Sequence, residues 1–118
     1  MATQLDCIFC QIVQRHIPAQ LVHEDDDTVA FVDINPQAPQ HFLVIPKNHV
    51  VTASEVITAG DEALFGKMVK VAATIAAQYG FVSTGYRLVV NSGRDGGQTV
   101  RHLHLHVLGG RTLGWPPG

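Results

Sequence analysis

The most constraining feature of this sequence is a seven-residue segment in which histidine and aliphatic residues alternate. Residues 102–108 read His-Leu-His-Leu-His-Val-Leu. Because neighbouring side chains of a β-strand point to opposite faces of the sheet, the alternation predicts a strand with one buried face. Leu103, Leu105 and Val107 would then face the core, and the three imidazoles would line the other face. Lys, Glu or Thr would serve a solvated face equally well, so a row of histidines indicates a functional site.

A single metal ion held by all three histidines is one alternative, and strand geometry argues against it. Residues i and i+2 of a strand lie ~6.5–7 Å apart, and residues i and i+4 about twice that. Zinc–nitrogen bonds are only ~2.0–2.1 Å long, so at most one neighbouring pair could share an ion. We therefore expect a row of imidazoles with different tasks, since imidazole can be a nucleophile, a hydrogen-bond donor or a general acid near neutral pH.

A glycine-rich loop over residues 91–99 comes just before the histidine segment. Glycines let backbone N–H groups approach a ligand closely, and successive N–H groups in a turn can form an anion-binding concavity. Taken alone, this loop would be interpreted as an ordinary turn. Because it adjoins three histidines, a cradle for a phosphate group is the better interpretation.

The chain of 118 residues is long enough for one domain, and 46% hydrophobic residues provide a core, so we expect a single domain over residues 1–118. Helical spacing of apolar residues predicts a long helix over residues 61–79, which Gly80 would cap. A short helix capped by Asp6 is expected to end at about residue 15. Strands are predicted over residues 21–24, 28–33, 41–46, 86–91 and 100–108. Short links between several strands indicate an α+β fold with a five-stranded, mostly antiparallel sheet, one long helix and one short helix.

Composition argues against several classes of protein. The net charge is −2 and basic residues do not cluster, so we expect no nucleic-acid partner. No apolar run approaches the ~20 residues that span a bilayer, so we expect no membrane partner. Residues 1–6 lack the basic-then-apolar plan of a signal peptide, which favours a cytoplasmic location. The two cysteines, in one C-x-x-C motif, agree with a reducing compartment.

The histidine segment also matches a known motif, His-φ-His-φ-His-φ-φ with φ apolar, without a departure. Further similar stretches occur at residues 33–39 (Asp-Ile-Asn-Pro-Gln-Ala-Pro), 41–47 (His-Phe-Leu-Val-Ile-Pro-Lys), 96–98 (Gly-Gly-Gln) and 115–118 (Trp-Pro-Pro-Gly). Over nearly its whole length the chain resembles the histidine triad (HIT) superfamily, in particular its nucleotide-binding branch. The branch that cleaves dinucleoside polyphosphates is less similar, because it lacks this Trp-Pro-Pro-Gly ending. The resemblance implies a HIT-like fold.

The activity that this resemblance implies is that of a hydrolase, a purine nucleoside phosphoramidase. His104 would attack the α-phosphorus of a nucleoside 5′-phosphoramidate, or of an acyl-nucleotide, and form a covalent nucleotidyl-histidine. Water would then release the purine nucleoside monophosphate, and no cofactor would be needed for the chemistry. Two alternatives stay open. One is a module that binds purine nucleotides with little turnover, and the other is a zinc hydrolase whose metal-bound water attacks the substrate.

The resemblance also implies roles for individual residues. The catalytic group would be His104, His106 and Thr99, where many relatives carry Ser in place of Thr99. The phosphate would be held by His106, Asn91, Gly97, Gln98 and Thr99. Asp33 would accept hydrogen bonds from the ribose hydroxyls, and His41 would be a polar partner near the triad. The apolar slot for the purine base would be formed by Ile8, Phe9, Phe31 and Ile34. Trp115 would reach the leaving-group side of the site across a dimer.

The C-x-x-C motif formed by Cys7 and Cys10 has three interpretations: a redox pair, two buried thiols, or half of a zinc site. A redox pair is the weakest, because no thioredoxin-like βαβ pattern surrounds the motif. Similarity to zinc-binding relatives implies a structural zinc site formed by Cys7, Cys10, His49 and His102, which would fasten the N-terminal helix to the sheet.

A homodimer is expected from surplus apolar residues and from the resemblance. Val44, Ile45, Val69, Val71 and Ile75 suggest more apolar surface than one sheet and one helix can cover. Relatives pair through the long helix and an edge strand, and an unpaired edge is a liability that dimerisation removes.

Overall fold

The structure, a computed structural model, describes residue 4 and residues 6–118, and it contains one five-stranded sheet. The strands are β1 (Leu21–Glu24), β2 (Thr28–Val32), β3 (Gln40–Pro46), β4 (Tyr86–Val89) and β5 (Leu105–Gly109). They lie in the order β1-β2-β3-β5-β4, and each neighbouring pair is antiparallel. The helices are α1 (Ile8–Val13), α2 (Ala53–Thr58) and α3 (Glu62–Gln78). The predicted α+β class, the five-stranded sheet and the long helix are confirmed.

Helix α2 is a second short helix that the sequence did not reveal. It has six residues and begins after Thr52, whose hydroxyl accepts a hydrogen bond from the backbone N–H of Glu55 at 3.2 Å. Six residues make fewer than two turns, which is too short for a hydrophobic stripe to stand out in the sequence.

The start of α1 differs from the prediction by one residue. Cys7, and not Asp6, occupies the N-cap position, with an extended backbone and a thiol that accepts a hydrogen bond from the N–H of Cys10 at 3.4 Å. Asp and Ser are commoner N-cap residues than Cys, and this general preference led to the prediction of Asp6 in place of Cys7. The motif therefore begins the helix as well as presenting two sulfur atoms.

The predicted fifth strand, residues 100–108, is also shorter than expected. β5 begins at Leu105, which pairs with Val44 of β3, and residue 103 instead donates its N–H to the carbonyl oxygen of Val50 at 2.7 Å. The alternation of side chains nevertheless begins before the ladder does. Leu103, Leu105 and Val107 are all buried in one core cluster, as predicted.

The sheet has a different covering on each of its two faces. On one face, α3 contributes Met68, Val71 and Ile75 to a core that includes Leu105 and Val107. On the other face, α1 packs its Phe9, Cys10 and Ile12 against side chains of β2 and β3. The histidines belong to this second face, between the sheet and α1.

Four of the five residues offered as surplus apolar surface are buried within the single chain, namely Val44, Ile45, Val71 and Ile75. Only Val69 has an exposed side chain. That argument for a dimer was wrong, because the two sheet faces with α1 and α3 cover more apolar surface than the sequence suggested.

Among the residues that the structure describes, no helix combines the length and the hydrophobicity that crossing a bilayer requires.

Candidate active site

Helix α1 covers two of the three imidazoles of the histidine segment, those of His102 and His104. His102 is fully buried, His104 is nearly so, and His106 is partly exposed. The ring of Phe9 stands edge-on to both His102 and His104, with ring centroids 5.8 and 5.2 Å apart. A plain solvated face is therefore ruled out for this segment.

His104 has one ring nitrogen committed to the backbone. Its Nδ1 lies 2.7 Å from the carbonyl oxygen of His102, and a carbonyl oxygen can only accept, so Nδ1 carries the proton. In the neutral ring, Nε2 is then the unprotonated nitrogen. A fixed tautomer of this kind prepares an imidazole for nucleophilic attack through Nε2.

His41 and His106 form a chain of hydrogen bonds that starts at the backbone, which we call the relay. The N–H of Gln37 donates to His41 Nδ1 at 3.0 Å, so the proton of neutral His41 is on Nε2. His41 Nε2 lies 2.9 Å from His106 Nδ1 and 3.3 Å from Asp33 Oδ2. Donation from His41 makes His106 Nδ1 an acceptor and puts the proton of His106 on Nε2.

Both rings of the relay are neutral near neutral pH. Burial lowers the pKa of His41, although the negative charge of Asp33 opposes this effect. Burial also lowers the pKa of His106 to about 4, with further lowering from His104 and His41 against the opposing charge of Asp33. The tautomers deduced from the hydrogen bonds are thus those of the uncharged rings.

A cavity of about 400 Å³ opens beside these histidines. Among the residues predicted to bind nucleotide, those that line it are Ile8, Phe9, Phe31, Asp33, Ile34, His41, Thr99, His104 and His106. Sequence reasoning missed Ile12, Ile17, Pro18, Ala19, Asn35, Gln37, Leu43 and Val100. Ile12 shares the apolar stripe of α1 with Ile8 and could have been found from that spacing.

Four other predicted residues, Asn91, Gly97, Gln98 and Trp115, do not line this cavity. The side chain of Gln98 is fully engaged in bracing the glycine-rich loop. Its Nε2 donates to the carbonyl oxygens of Val51 and Val100 at 2.7 and 3.0 Å, and its Oε1 accepts from the N–H of Gly93 at 2.9 Å. Trp115 is 84% exposed.

Glycine is required within this loop. A Cβ on Gly96 would lie 2.5 Å from the carbonyl oxygen of Ser92, and Gly97 has a φ of 80°, which side chains rarely tolerate. The loop can therefore adopt a tight backbone path, which the N–H groups of Gly97 and Gln98 close by donating to the carbonyl oxygens of Arg94 and Gly93 at 3.1 and 3.0 Å.

A second group of side chains, which we call the cysteine–histidine cluster, lies next to the cavity. The ligand atoms of Cys7, Cys10, His49 and His102 are all within 4.8 Å of one another. His102 Nδ1 is 3.3 Å from the sulfur of Cys7 and 3.6 Å from that of Cys10, which is itself 3.3 Å from His49 Nδ1. Two thiols and two imidazoles are a common zinc ligand set.

The outer hydrogen bond of His102 suits metal binding. Its Nε2 lies 2.9 Å from the carbonyl oxygen of Pro46, so Nε2 carries the proton and the lone pair of Nδ1 faces the sulfurs. Burial lowers the pKa of His102 to about 4, which keeps the ring neutral, as a metal ligand must be. Burial also raises the pKa of the Cys10 thiol, and a bound cation would favour its thiolate instead.

Asp33, His41 and His106 also place ligand atoms within 4.8 Å of one another. Here the backbone donates to the histidine: His41 accepts from the N–H of Gln37, whereas His102 donates to the carbonyl oxygen of Pro46. A metal on His41 Nε2 would require a proton on Nδ1, where the N–H of Gln37 already donates. These three residues are therefore arranged as a hydrogen-bonded relay and not as a metal site.

Comparison with known proteins agrees with this fold. The sequence model of the HIT domain matches residues 14–113. The chain is 53% identical to an uncharacterized HIT-like protein of Synechococcus elongatus, over 96% of this chain and 97% of that protein. It is 49% identical to the purine nucleoside phosphoramidase of Escherichia coli, over 92% of this chain and 91% of that protein.

Solved structures show the same similarity. The crystal structure of a HIT family hydrolase from Legionella pneumophila has a TM-score of 0.92 and 48% sequence identity, covering 96% of this chain and all of that one. A histidine triad nucleotide-binding protein from Candida albicans has a TM-score of 0.80 at 28% identity, covering 94% of this chain and 83% of that one. The chain belongs to the HIT domain family.

Proposed function

We propose that this protein is a hydrolase that cleaves the P–N bond of purine nucleoside 5′-phosphoramidates, with His104 as the nucleophile. The observation that carries the proposal is the fixed tautomer of His104, whose Nδ1–H is bound to a backbone carbonyl and whose ring lines a cavity of about 400 Å³. The relative from Escherichia coli that bears the name purine nucleoside phosphoramidase supports the same substrate class.

The reaction has two displacement steps. His104 Nε2 attacks the α-phosphorus and a nucleotidyl-histidine forms. The P–N bond breaks as a general acid protonates the leaving nitrogen, so that the amine departs neutral, and the water of the second step restores the proton of that acid. Water then attacks phosphorus and releases the nucleoside monophosphate and free His104. Over both steps one water molecule supplies the proton of the amine and the hydroxyl group of the monophosphate. Covalent catalysis divides a difficult displacement into two easier ones. Acyl-nucleotides, with a mixed anhydride at the same phosphorus, are substrates by the same route.

Neutral donors stabilise the phosphoryl group in this proposal. His106 donates from Nε2, the nitrogen to which the relay assigns the proton, and Thr99 offers its hydroxyl from the cavity wall. The N–H groups of Gly97 and Gln98 donate within the glycine-rich loop, to the carbonyl oxygens of Arg94 and Gly93, and the side-chain amide of Gln98 braces the loop. The phosphoryl donors that the cavity wall offers are therefore His106 and Thr99. Fixed donors of this kind stabilise developing charge without reorganisation.

The rest of the cavity suits a purine nucleoside. Asp33 accepts from the ribose hydroxyls, and its Oδ1 already accepts the N–H of Asn35 at 2.8 Å, which holds the carboxylate in place. Phe9 and Phe31 meet edge to face with ring centroids 5.6 Å apart, next to Ile8 and Ile34. This apolar wall contacts the flat base by dispersion and hydrophobic burial.

The cysteine–histidine cluster is proposed to hold one structural zinc ion. Cys7, Cys10, His49 and His102 would be its ligands, and the ion would cross-link α1 to the sheet. The outer hydrogen bond of His102 to Pro46 supports this assignment. The ion takes no part in the displacement at phosphorus.

A homodimer is also proposed. β1 and β4 form the two edges of the sheet, so each offers unpaired backbone groups to a second chain. The tail is anchored beside β4, since Arg87 donates to the carbonyl oxygen of Gly114 at 2.7 Å. The exposed indole of Trp115 is then available to the leaving-group side of a neighbouring site.

Turnover of adenosine 5′-phosphoramidate tests the proposed function. Release of adenosine monophosphate and ammonia by purified protein is expected, and it should persist after chelation as long as the protein stays folded. Binding of adenosine monophosphate without any turnover would support a nucleotide-binding module instead. Loss of turnover on chelation, with the fold retained, would support the zinc hydrolase.

A further inference from the structure

Arg111 follows β5 and reaches across to the loop that precedes β3. Its Nε and Nη2 both donate to the carbonyl oxygen of Gln37, at 3.1 and 2.9 Å. Its Nη1 donates to the carbonyl oxygen of Thr112 at 3.1 Å, which fixes the guanidinium from the other side. Arg111 is exposed, but its guanidinium places two charged donors on one carbonyl oxygen. We call this pair of hydrogen bonds the grip; a lysine, with a single ammonium nitrogen, cannot reproduce it.

Gln37 is the residue through which this grip reaches the active site. Its carbonyl oxygen accepts from Arg111, and its own N–H is the donor that starts the relay at His41 Nδ1. The turn that directs Arg111 toward it depends on Gly110, which has a φ of 92° and where a Cβ would lie 2.9 Å from Cβ of Pro39. The backbone on both sides of the contact is therefore closely constrained.

We propose that Arg111 is a positioning residue, which holds Gln37 in place and thereby fixes the nitrogen that carries the proton in His41 and, through it, in His106. Its importance for catalysis rests on the proposed function, but its effect on the two rings does not.

The reasoning follows the hydrogen bonds in order. If Gln37 moves, His41 Nδ1 loses its donor and can take the proton that Nε2 carried. His41 Nε2 then accepts from His106, which must donate from Nδ1. Each ring keeps one proton and stays neutral, but His106 Nε2 has lost the proton with which it would bind a phosphoryl oxygen. The carboxylate of Asp33, 3.3 Å from His41 Nε2, also favours a proton on that nitrogen, so loss of the Gln37 donor shifts the tautomer populations and does not exchange them completely.

Imidazole nitrogen NMR spectra of the full-length ¹⁵N-labelled protein, recorded near neutral pH without nucleotide, test the proposal. In the wild type, His41 and His106 should both show the Nε2–H tautomer. In Arg111→Gln, the signals of both rings should move toward the Nδ1–H tautomer. Binding of adenosine monophosphate should weaken by about tenfold, as expected for the loss of one hydrogen bond to a charged group.

Two further variants make the result decisive. Arg94→Gln removes another exposed arginine, one that pairs with its neighbour Asp95, and it should leave both tautomers unchanged. Arg111→Lys keeps the charge but loses the two-point grip, so it should behave like Arg111→Gln and serves in its place if that variant does not fold. Wild-type tautomers in a folded Arg111→Gln or Arg111→Lys protein would overturn the proposal. Because no substrate is present, failure of the wild type to hydrolyse phosphoramidates would count only against the proposed function.

Discussion

The cysteine–histidine cluster contains His102 and the relay contains His106, toward the two ends of the histidine segment. In both groups a histidine is held by a hydrogen bond to the backbone, but the direction of that hydrogen bond differs. His102 donates its outer N–H to the carbonyl oxygen of Pro46, which turns a lone pair toward two sulfurs. His41 accepts at its outer nitrogen from the N–H of Gln37, which turns an N–H toward His106. A backbone acceptor therefore favours metal binding, and a backbone donor favours proton donation to a neighbour.

His104 lies between these two groups and shows why the distinction matters. Its outer nitrogen donates to the backbone, as that of His102 does, but its ring lines the open cavity instead of facing thiols. The lone pair is thus available to a substrate. Three histidines at a spacing of two residues thus have three different surroundings, and the proposed function gives each of them a different role.

The largest effect is expected from His104→Ala, which removes the proposed nucleophile. Activity on adenosine 5′-phosphoramidate should fall by about 10³-fold or more, because loss of a nucleophile removes the covalent route. Steady-state kinetics and a melting curve are the measurements. His16→Ala, at an exposed histidine that contacts Gln11, is the matched control and should retain wild-type activity. A folded His104→Ala protein with near-wild-type turnover would refute the mechanism.

The next effect concerns the cysteine–histidine cluster. We expect one zinc per chain in protein purified without chelator, and Cys7→Ala should reduce stability by about 3 kcal/mol or more, as loss of a structural metal does. Turnover per folded molecule should change much less, because the proposed displacement at phosphorus does not use the zinc ion. Metal analysis, chemical denaturation and kinetics at a temperature where the variant is folded are the measurements.

Two results would contradict this account of the cluster. A zinc content near zero, with both thiols titrating freely in the native protein, would remove the metal site. Full stability combined with a large loss of turnover in Cys7→Ala would make the metal catalytic.

A smaller effect is expected on the pH dependence of stability. Burial lowers the pKa of folded His106 to about 4 from its ordinary value of 6.5. Between these values the unfolded chain binds more protons, so this group makes stability fall as the pH decreases from 6.5 to about 4, with no further loss below. His106→Asn, which cannot titrate, should lose less stability than the wild type over this range. The free energy of unfolding is measured by urea denaturation at several pH values. If it changes with pH equally in the wild type and in His106→Asn, burial does not disfavour protonation of His106.

The smallest effect is expected from the tail. Deletion of residues 113–118 should change the ratio of kcat/KM between substrates with different amine leaving groups by a few-fold. The melting temperature should change little, because Trp115 is exposed. The measurement is kcat/KM for adenosine phosphoramidates with small and aromatic amines. A uniform loss for all substrates would show that the tail does not select among them.

Several features could be predicted from the sequence because they depend on local patterns. The alternation correctly predicted that Leu103, Leu105 and Val107 are buried on one face. The prediction holds for Leu103 even though β5 begins only at Leu105. The long helix was also predicted within one residue at each end, since its apolar stripe covers 17 residues.

Other features depend on partners distant in sequence and could not be predicted. Gln98 was expected to hold phosphate, but its amide reaches Val51, 47 residues away, and braces the loop. The grip of Arg111 on Gln37 spans 74 residues and leaves no local pattern. Hydrogen bonds of this kind are set by the assembled fold, so only the structure reveals which nitrogen of each histidine is free.

The most direct test of the central claim is to trap the covalent intermediate. Wild-type protein is mixed with adenosine 5′-phosphoramidate, quenched in alkaline denaturant within the first turnover, and examined by intact mass spectrometry and peptide mapping. A nucleotidyl adduct on His104 is predicted, and it should be absent from His104→Ala. Formation of adenosine monophosphate without any adduct, or an adduct located on His102 or His106, would contradict the roles assigned to the three histidines.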